Sequence, residues 1–184
     1  MLEVDSPTRE RTRRAILQAG ISTLTEHPSA SIADVAQRAG VARSTLHRYY
    51  AGRKELVEGI NAFVEHEYEA ALERARLDEG TGLEAYTRLC QELLESFDIF
   101  AWWFQFQETP EVDWENDPDE RRIAAAVARG QADGSIDPSL PTGWLSMTLW
   151  SNMYTARFYA QSGAGGPQQA REYCLRTLLK CAAP

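Results

Sequence analysis

The sequence predicts an all-α protein, and three observations carry that prediction. Apolar residues recur at i, i+3, i+4 and i+7 in nearly every segment. The alternating apolar–polar runs of half-buried strands are absent. Gly and Pro cluster at a few short breaks instead of punctuating the whole chain.

The elements follow in order. A first helix is expected from Thr8 to about Glu26, with Pro7 suited to its opening turn and Leu17, Ile21 and Leu24 on one face. His27-Pro28 ends it, because proline pushes the preceding residue out of the helical region. Ser31 with Asp34 three residues on resembles a capping box. Ile32, Val35, Ala36 and Ala39 then form one apolar stripe, and Gly40 supplies the left-handed residue that closes such a helix. A short third helix, about Ala42 to Tyr49, is expected with Val41, Leu46 and Tyr50 inward and Arg43, Ser44, Thr45, His47 and Arg48 outside.

A long helix is expected over 53–77, with Leu56, Ile60, Phe63, Val64, Tyr68, Ala71 and Leu72 inward. The break at 78–82 marks a domain boundary. Further helices are expected from Leu83 to about Gln107, Asp119 to Ala132, Thr142 to Gln161 and Gln168 to Cys181. An acidic loop with Pro110 and Pro118 and turns at 134–141 and 163–167 separate them.

Charge is divided along the chain. Up to Lys54 there are nine Lys/Arg and five acids, whereas the remainder holds ten and 22. A basic head on an acidic body suits a protein in which the head alone meets a polyanion. No stretch approaches the roughly 18–20 apolar residues of a membrane span. Nor does the acidic N-terminus look like a signal peptide, so a cytoplasmic protein without membrane partners is expected. Cys90, Cys174 and Cys181 lack CxxC spacing and fit small apolar positions in helices.

A helix, a Gly-centred turn and a second short helix with a polar outer face is the helix-turn-helix pattern, whose second helix enters the DNA major groove. The run from Ser31 to Leu56 closely resembles the DNA-binding segment of the TetR family. The matches are Ala36, the Ala39-Gly40-Val41 turn, Thr45-Leu46, the aromatic pair Tyr49-Tyr50 and the opening Arg53-Lys54-Glu55-Leu56. Two positions depart from the family pattern. Ala42 stands where Ser or Thr often caps the reading helix, and His47 stands where tyrosine is usual.

The resemblance implies a fold and a division of labour. A three-helix DNA-binding domain occupies 1–54, and a helical ligand-binding and dimerisation domain occupies 55–184. On double-stranded operator DNA, Arg43, Ser44 and Thr45 are expected at base edges or in the groove. His47, Arg48, Tyr49, Arg53 and Ser31 are expected at phosphates or on the same DNA-facing surface. Arg9, Arg11, Arg13 and Arg14 form either a phosphate-reaching arm or a solvated first turn. The body is rich in Trp and Phe, and the resemblance places a cavity there for a small apolar or aromatic effector. Trp103, Phe106, Trp150, Tyr154 and Phe158 are the expected lining. The acids Glu108, Glu111, Asp113, Glu115 and Asp117 either attract a cation or form a solvated loop. The last two helices would make a homodimer through Leu145, Leu149, Asn152, Ala156, Cys174, Leu175, Leu178 and Leu179. No metal or cofactor is expected. The rival readings are an enzyme, for which HExxH, GxSxG and a Gly-rich phosphate loop are all missing, and a helical protein-binding domain.

Overall fold

A computed structural model describes residues 6–106 and 117–184; for Phe106 it describes the backbone alone. The described residues form ten α-helices: α1 Pro7–Glu26, α2 Ile32–Arg38, α3 Arg43–Tyr49, α4 Arg53–Ala75, α5 Gly82–Glu95, α6 Phe97–Phe100, α7 Trp103–Phe106, α8 Pro118–Asp133, α9 Thr142–Gln161 and α10 Pro167–Ala182. The all-α expectation holds.

Local chemistry sets most boundaries. Ser6 caps α1 by accepting from the Arg9 amide, with Pro7 in the first helical turn. Thr81 and Glu84 make a reciprocal capping box on α5, and Asp117 accepts from the amides of Asp119 and Glu120 to open α8. The turn after α4 is held by two arginines. Arg88 donates to the carbonyls of Ala75, Arg76 and Glu79, and Arg129 donates to those of Leu77 and Gly80. These bonds satisfy carbonyls that a helix end otherwise leaves without intrahelical partners.

The contacts separate two compact units, Met1–Glu67 with Asp98–Gln105, and Tyr68–Phe97 with Phe106–Pro184. This partition follows neither the 54/55 division nor the 78–82 break read from the sequence. The first half of α4 belongs with α1–α3 because Leu56, Ile60 and Val64 are buried there. A Cβ on Gly20 of α1 would lie 2.9 Å from Ile60 Cδ1. In the same unit the Trp102 indole N–H donates to Asn61 Oδ1 at 2.7 Å.

In the second unit α5, α8, α9 and α10 pack on one another around Tyr86, Leu89, Leu93, Ile123, Val127, Leu145, Leu149, Met153 and Leu178, all buried. The crossing of α5 and α8 needs glycine, since a Cβ on Gly82 would stand 2.1 Å from the Gly130 amide nitrogen. Cys90 and Cys174 are buried, and burial pushes both thiols up, that of Cys174 to about 12. They act as small apolar groups.

One expected helix is corrected. Leu83–Gln107 is not continuous but breaks after Glu95 and again at Ala101-Trp102. Phe100, Ala101 and Trp102 are all buried. Successive positions of one helix point about 100° apart, so a break lets all three leave water.

Candidate nucleic-acid interface

The reading motif is built from local signals. Ser31 N–H donates to Asp34 Oδ2 at 2.7 Å, the Ser31 hydroxyl donates to the same oxygen at 2.8 Å, and the Asp34 amide returns a bond to Ser31 Oγ at 3.3 Å. These bonds hold the Asp34 carboxyl below its ordinary range. Gly40 takes φ +68°, a left-handed conformation that costs glycine little, and the Val41 amide bonds back to the Ala36 carbonyl. α3 then starts from Ala42, which caps it with no side-chain bond.

Leu46 is fully buried and anchors α3. Arg43, Ser44, His47 and Arg48 are exposed, while Thr45 and Tyr49 are partly exposed. His47 organises the outer face: its Nδ1 lies 3.1 Å from the Ala51 carbonyl, and Arg43 Nε donates to its Nε2 at 3.4 Å. Both contacts are satisfied by the neutral tautomer that carries its proton on Nδ1. Tyr49 donates its hydroxyl to the Arg9 carbonyl at 3.3 Å, and the Arg9 guanidinium sits over the Tyr49 ring, 5.9 Å from its centroid. Between α1 and α3 lies a polar groove of about 460 Å³ lined by Ser6, Thr8, Arg9, Thr12, Thr45, Arg48 and Tyr49. Thr8 and Thr12 went unmarked in the sequence; the Ser6-Pro7 helix start was the available signal that this end of α1 is presented with its polar residues outward.

Two expected phosphate residues are otherwise engaged. Arg53 donates to the carbonyls of Pro28 and Ala30, each at 2.6 Å, and so pins the turn between α1 and α2. Ser31 gives its hydroxyl proton to Asp34, whose carboxylate lies at the start of α2 and disfavours an anion there. The basic arm is divided in the same way. Arg14 is bound to Glu67, Arg11 folds back on Pro7 and Thr8, and Arg13 lies 3.7 Å from Glu10. In α2, Arg38 is bidentate to Glu26 of α1.

The expected effector residues are divided between the two units. Trp103 belongs to the first unit, where its ring stacks on Phe100 at 5.5 Å. Trp150, Tyr154 and Phe158 lie on α9 in the second unit. Trp150 is half-buried beside Tyr68, but Tyr154 and Phe158 are 54% and 65% exposed and do not face the interior of the unit. The side chain of Phe106, Trp114 and the acids Glu108, Glu111, Asp113 and Glu115 lie outside the described residues. Asp117 is the cap of α8.

The expected interface list is also revised. Leu145, Leu149, Ala156, Cys174 and Leu178 are buried within the chain. The large apolar side chains left exposed on α9 and α10 are Trp144, Met147, Tyr154, Phe158 and Tyr173. No described helix is long and apolar enough to cross a membrane.

Comparison with known proteins agrees with this geometry. The profile of "Bacterial regulatory proteins, tetR family" matches residues 16–60. The chain is 33% identical over 165 residues to the HTH-type transcriptional repressor LfrR of Mycolicibacterium smegmatis, covering 87% of this chain and 85% of that one. The crystal structure of LfrR from Mycobacterium smegmatis aligns over 97% of this chain and 100% of its own, with a TM-score of 0.68 and 29% identity. LfrR in complex with proflavine aligns over 95% and 98%, with a TM-score of 0.58 and 29% identity. A TetR family regulator from Marinobacter aquaeolei VT8, 22% identical, shares the fold over 97% and 99% with a TM-score of 0.62.

Proposed function

The chain belongs to the TetR family of bacterial regulatory proteins, and from that footing we propose that it is a repressor that grips a palindromic operator as a homodimer and releases it when an aromatic effector binds. The observation that carries this reading is the outer face of α3, where Arg43, Ser44, His47 and Arg48 are exposed on a helix anchored by Leu46. A helix of this size fits the major groove, with its N-terminal residues toward base edges. Arg43, Ser44 and Thr45 read bases; His47, Arg48 and Tyr49, with Arg9, Thr8 and Thr12 of the adjoining groove, hold the phosphates. Arg53 and Ser31 support the motif from behind.

A second copy of the chain covers α9 and α10. Trp144, Met147, Ser151, Tyr154 and Phe158 follow a three-four spacing, which makes one seam along a helix. Large apolar side chains exposed in a row signal an interaction surface. Two-fold symmetry in the protein then requires a pseudo-palindromic site, with half-sites about one helical turn apart.

The effector is a small aromatic molecule, as proflavine is in the LfrR complex. It enters the second unit, and α4, whose residues Arg53–Glu67 belong to the first unit and Tyr68–Ala75 to the second, conveys its effect. A coupling of about 1–3 kcal/mol releases DNA about 5–150-fold. The protein works in the cytoplasm, where its DNA is. Fluorescence anisotropy with DNA from upstream of the gene, against scrambled DNA, tests the reading. Preference for the upstream DNA, steep loss with salt and release by proflavine are expected; no preference at any salt concentration overturns it.

A further inference from the structure

We propose that His47 is a positioning residue for operator discrimination: its neutral ring holds the Arg43 guanidinium in reading position, and uptake of a proton by that ring releases it, so that discrimination at the base pair read by Arg43 is lost as pH falls. The proposal rests on the base-reading role given to Arg43 above.

The contact divides the Arg43 guanidinium into two parts. Its Nε–H, on the side of the chain, donates to His47 Nε2 at 3.4 Å, one helical turn further along α3. Its two terminal amino groups have no protein partner among the described residues. Those amino groups form the fork that addresses guanine O6 and N7 as a pair. An arginine held by Nε alone keeps that fork and gives up the rotamers that would swing it away. The ordering is done before DNA arrives, and preordered contacts bind better.

The brace needs an unprotonated Nε2. Nδ1 of the same ring lies 3.1 Å from the Ala51 carbonyl. A carbonyl only accepts, so the proton of the neutral ring sits on Nδ1 and Nε2 carries the lone pair that Arg43 uses. The Ala51 bond thus fixes the tautomer and the ring plane together. A second proton goes to Nε2. It fills that lone pair and sets a positive ring against a positive guanidinium, so the two side chains part. The Ala51 bond survives, because Nδ1 donates in both forms.

The groups that face the ring are the Arg43 guanidinium of α3 and the Ala51 carbonyl of the turn before α4; no carboxylate is bonded to it among the described residues. Arg48, next along α3 and exposed, adds charge of the same sign. DNA supplies the opposite charge. Phosphates favour the imidazolium, and histidine is the side chain that changes charge between about pH 5 and 8. A phosphate contact is gained on any sequence, so it raises affinity for all DNA and cancels between sequences. Loss of the brace does not cancel, because it is felt at one base pair.

The test is selection from a randomised operator library with the full chain at pH 8 and pH 6, at constant salt, for wild type, Arg43→Ala and His47→Gln. Arg43→Ala at pH 8 marks the base pair that Arg43 reads. Glutamine at position 47 offers Arg43 an acceptor and takes up no proton. Wild type is expected to lose preference at the marked base pair by about threefold or more at pH 6, part of what a bidentate arginine contributes, and to keep it at the others. His47→Gln is expected to give the same profile at both pH values. Circular dichroism checks folding; if His47→Gln does not fold, wild type beside Arg43→Ala decides. His27 and His66, the other histidines of the first unit, remain in His47→Gln. A loss at pH 6 that persists in folded His47→Gln therefore puts the proton elsewhere and overturns the proposal. So does a wild-type profile that is the same at both pH values, or a loss at base pairs that Arg43→Ala leaves alone. If Arg43→Ala loses no preference at pH 8, the base-reading role of Arg43 falls, and the proposal with it.

Discussion

Arg14 of α1 closes a two-pronged ion pair on Glu67 of α4, at 2.6 and 2.9 Å, across 53 residues of sequence. Glu67 is buried, and the Arg14 guanidinium also covers the Phe63 ring at 5.2 Å. The pair joins the first helix to the helix that runs out of the DNA-binding unit. Removing one partner strands the other. Arg14→Ala should therefore destabilise the protein by about 1–3 kcal/mol, below the range for a fully buried pair because Arg14 is half-exposed. Chemical denaturation measures it. A double replacement of Arg14 and Glu67 by Met should cost less than Arg14→Ala alone; a larger loss would mean that the pair itself, not the stranded carboxylate, sets the energy.

Arg53 and Arg48 should behave differently on DNA. Arg53 is bound to the carbonyls of Pro28 and Ala30, so Arg53→Ala should loosen the α1–α2 turn and weaken operator binding while the salt dependence stays the same. Arg48 is exposed on the outer face of α3. Arg48→Ala should weaken all sequences alike and reduce the log–log salt slope by about 1. Anisotropy titrations at four salt concentrations separate the two. A slope change in Arg53→Ala would place Arg53 on a phosphate after all.

Arg43 stands at the first position of the reading helix and is braced by His47. Arg43→Ala should relax discrimination at one base-pair position by about 1–3 kcal/mol. His47→Ala should relax the same position to a smaller extent, since it removes the brace and not the reader. Selection from a randomised operator library identifies the positions affected. Loss at unrelated positions would break the proposed link between the two side chains.

Glu120 of α8, which accepts from the Ser146 hydroxyl of α9, bears on stability. Its carboxyl is raised in the folded chain, chiefly by desolvation. Folding therefore favours the protonated form. That favour is complete below the ordinary carboxylate pKa and is lost as pH rises through the raised value. At neutral pH the ionised group is a liability, so Glu120→Gln should melt higher than wild type at pH 7 and show no such gain at pH 4. Thermal melts at both pH values check this; an equal loss at both would mean that the bond from Ser146 outweighs the burial of charge.

Phe158 is 65% exposed and Trp144 57% exposed on the same helix. Placing a charge in the proposed apolar seam should disrupt it, so Phe158→Glu should convert a dimer to a monomer in analytical ultracentrifugation with little change in helix content. Operator affinity should then fall by orders of magnitude, because one reading helix binds where two did. A dimer that survives Phe158→Glu and Trp144→Glu together would move the interface elsewhere.

Apart from the breaks after Glu95 and at Ala101-Trp102, the described helix boundaries and the reading motif were legible from residues close together in sequence. Ser31 with Asp34, the left-handed Gly40, the apolar stripe through Val35 and Ala36, and the buried Leu46 all act within a turn or two. Each is a local signal, and so is the basic run that marks the head. Partner choice over long distances was not legible. Nothing near Arg53 announces that carbonyls 23 and 25 residues earlier will hold it, and nothing near Arg14 announces Glu67. An exposed arginine and an engaged one look alike in sequence. The same limit hid Glu120, which reads as an ordinary first-turn acid of α8 until α9 places Ser146 and Trp150 against it. It also hid the surface on α9: Leu145 and Leu149 suit an interface as well as Trp144 and Phe158 do, and only the packing of the chain decides which of them is already buried. Backbone caps and periodicity are near-neighbour properties that a sequence displays, whereas the engagement of a charge or an apolar face depends on which elements meet, and that is a property of the tertiary structure.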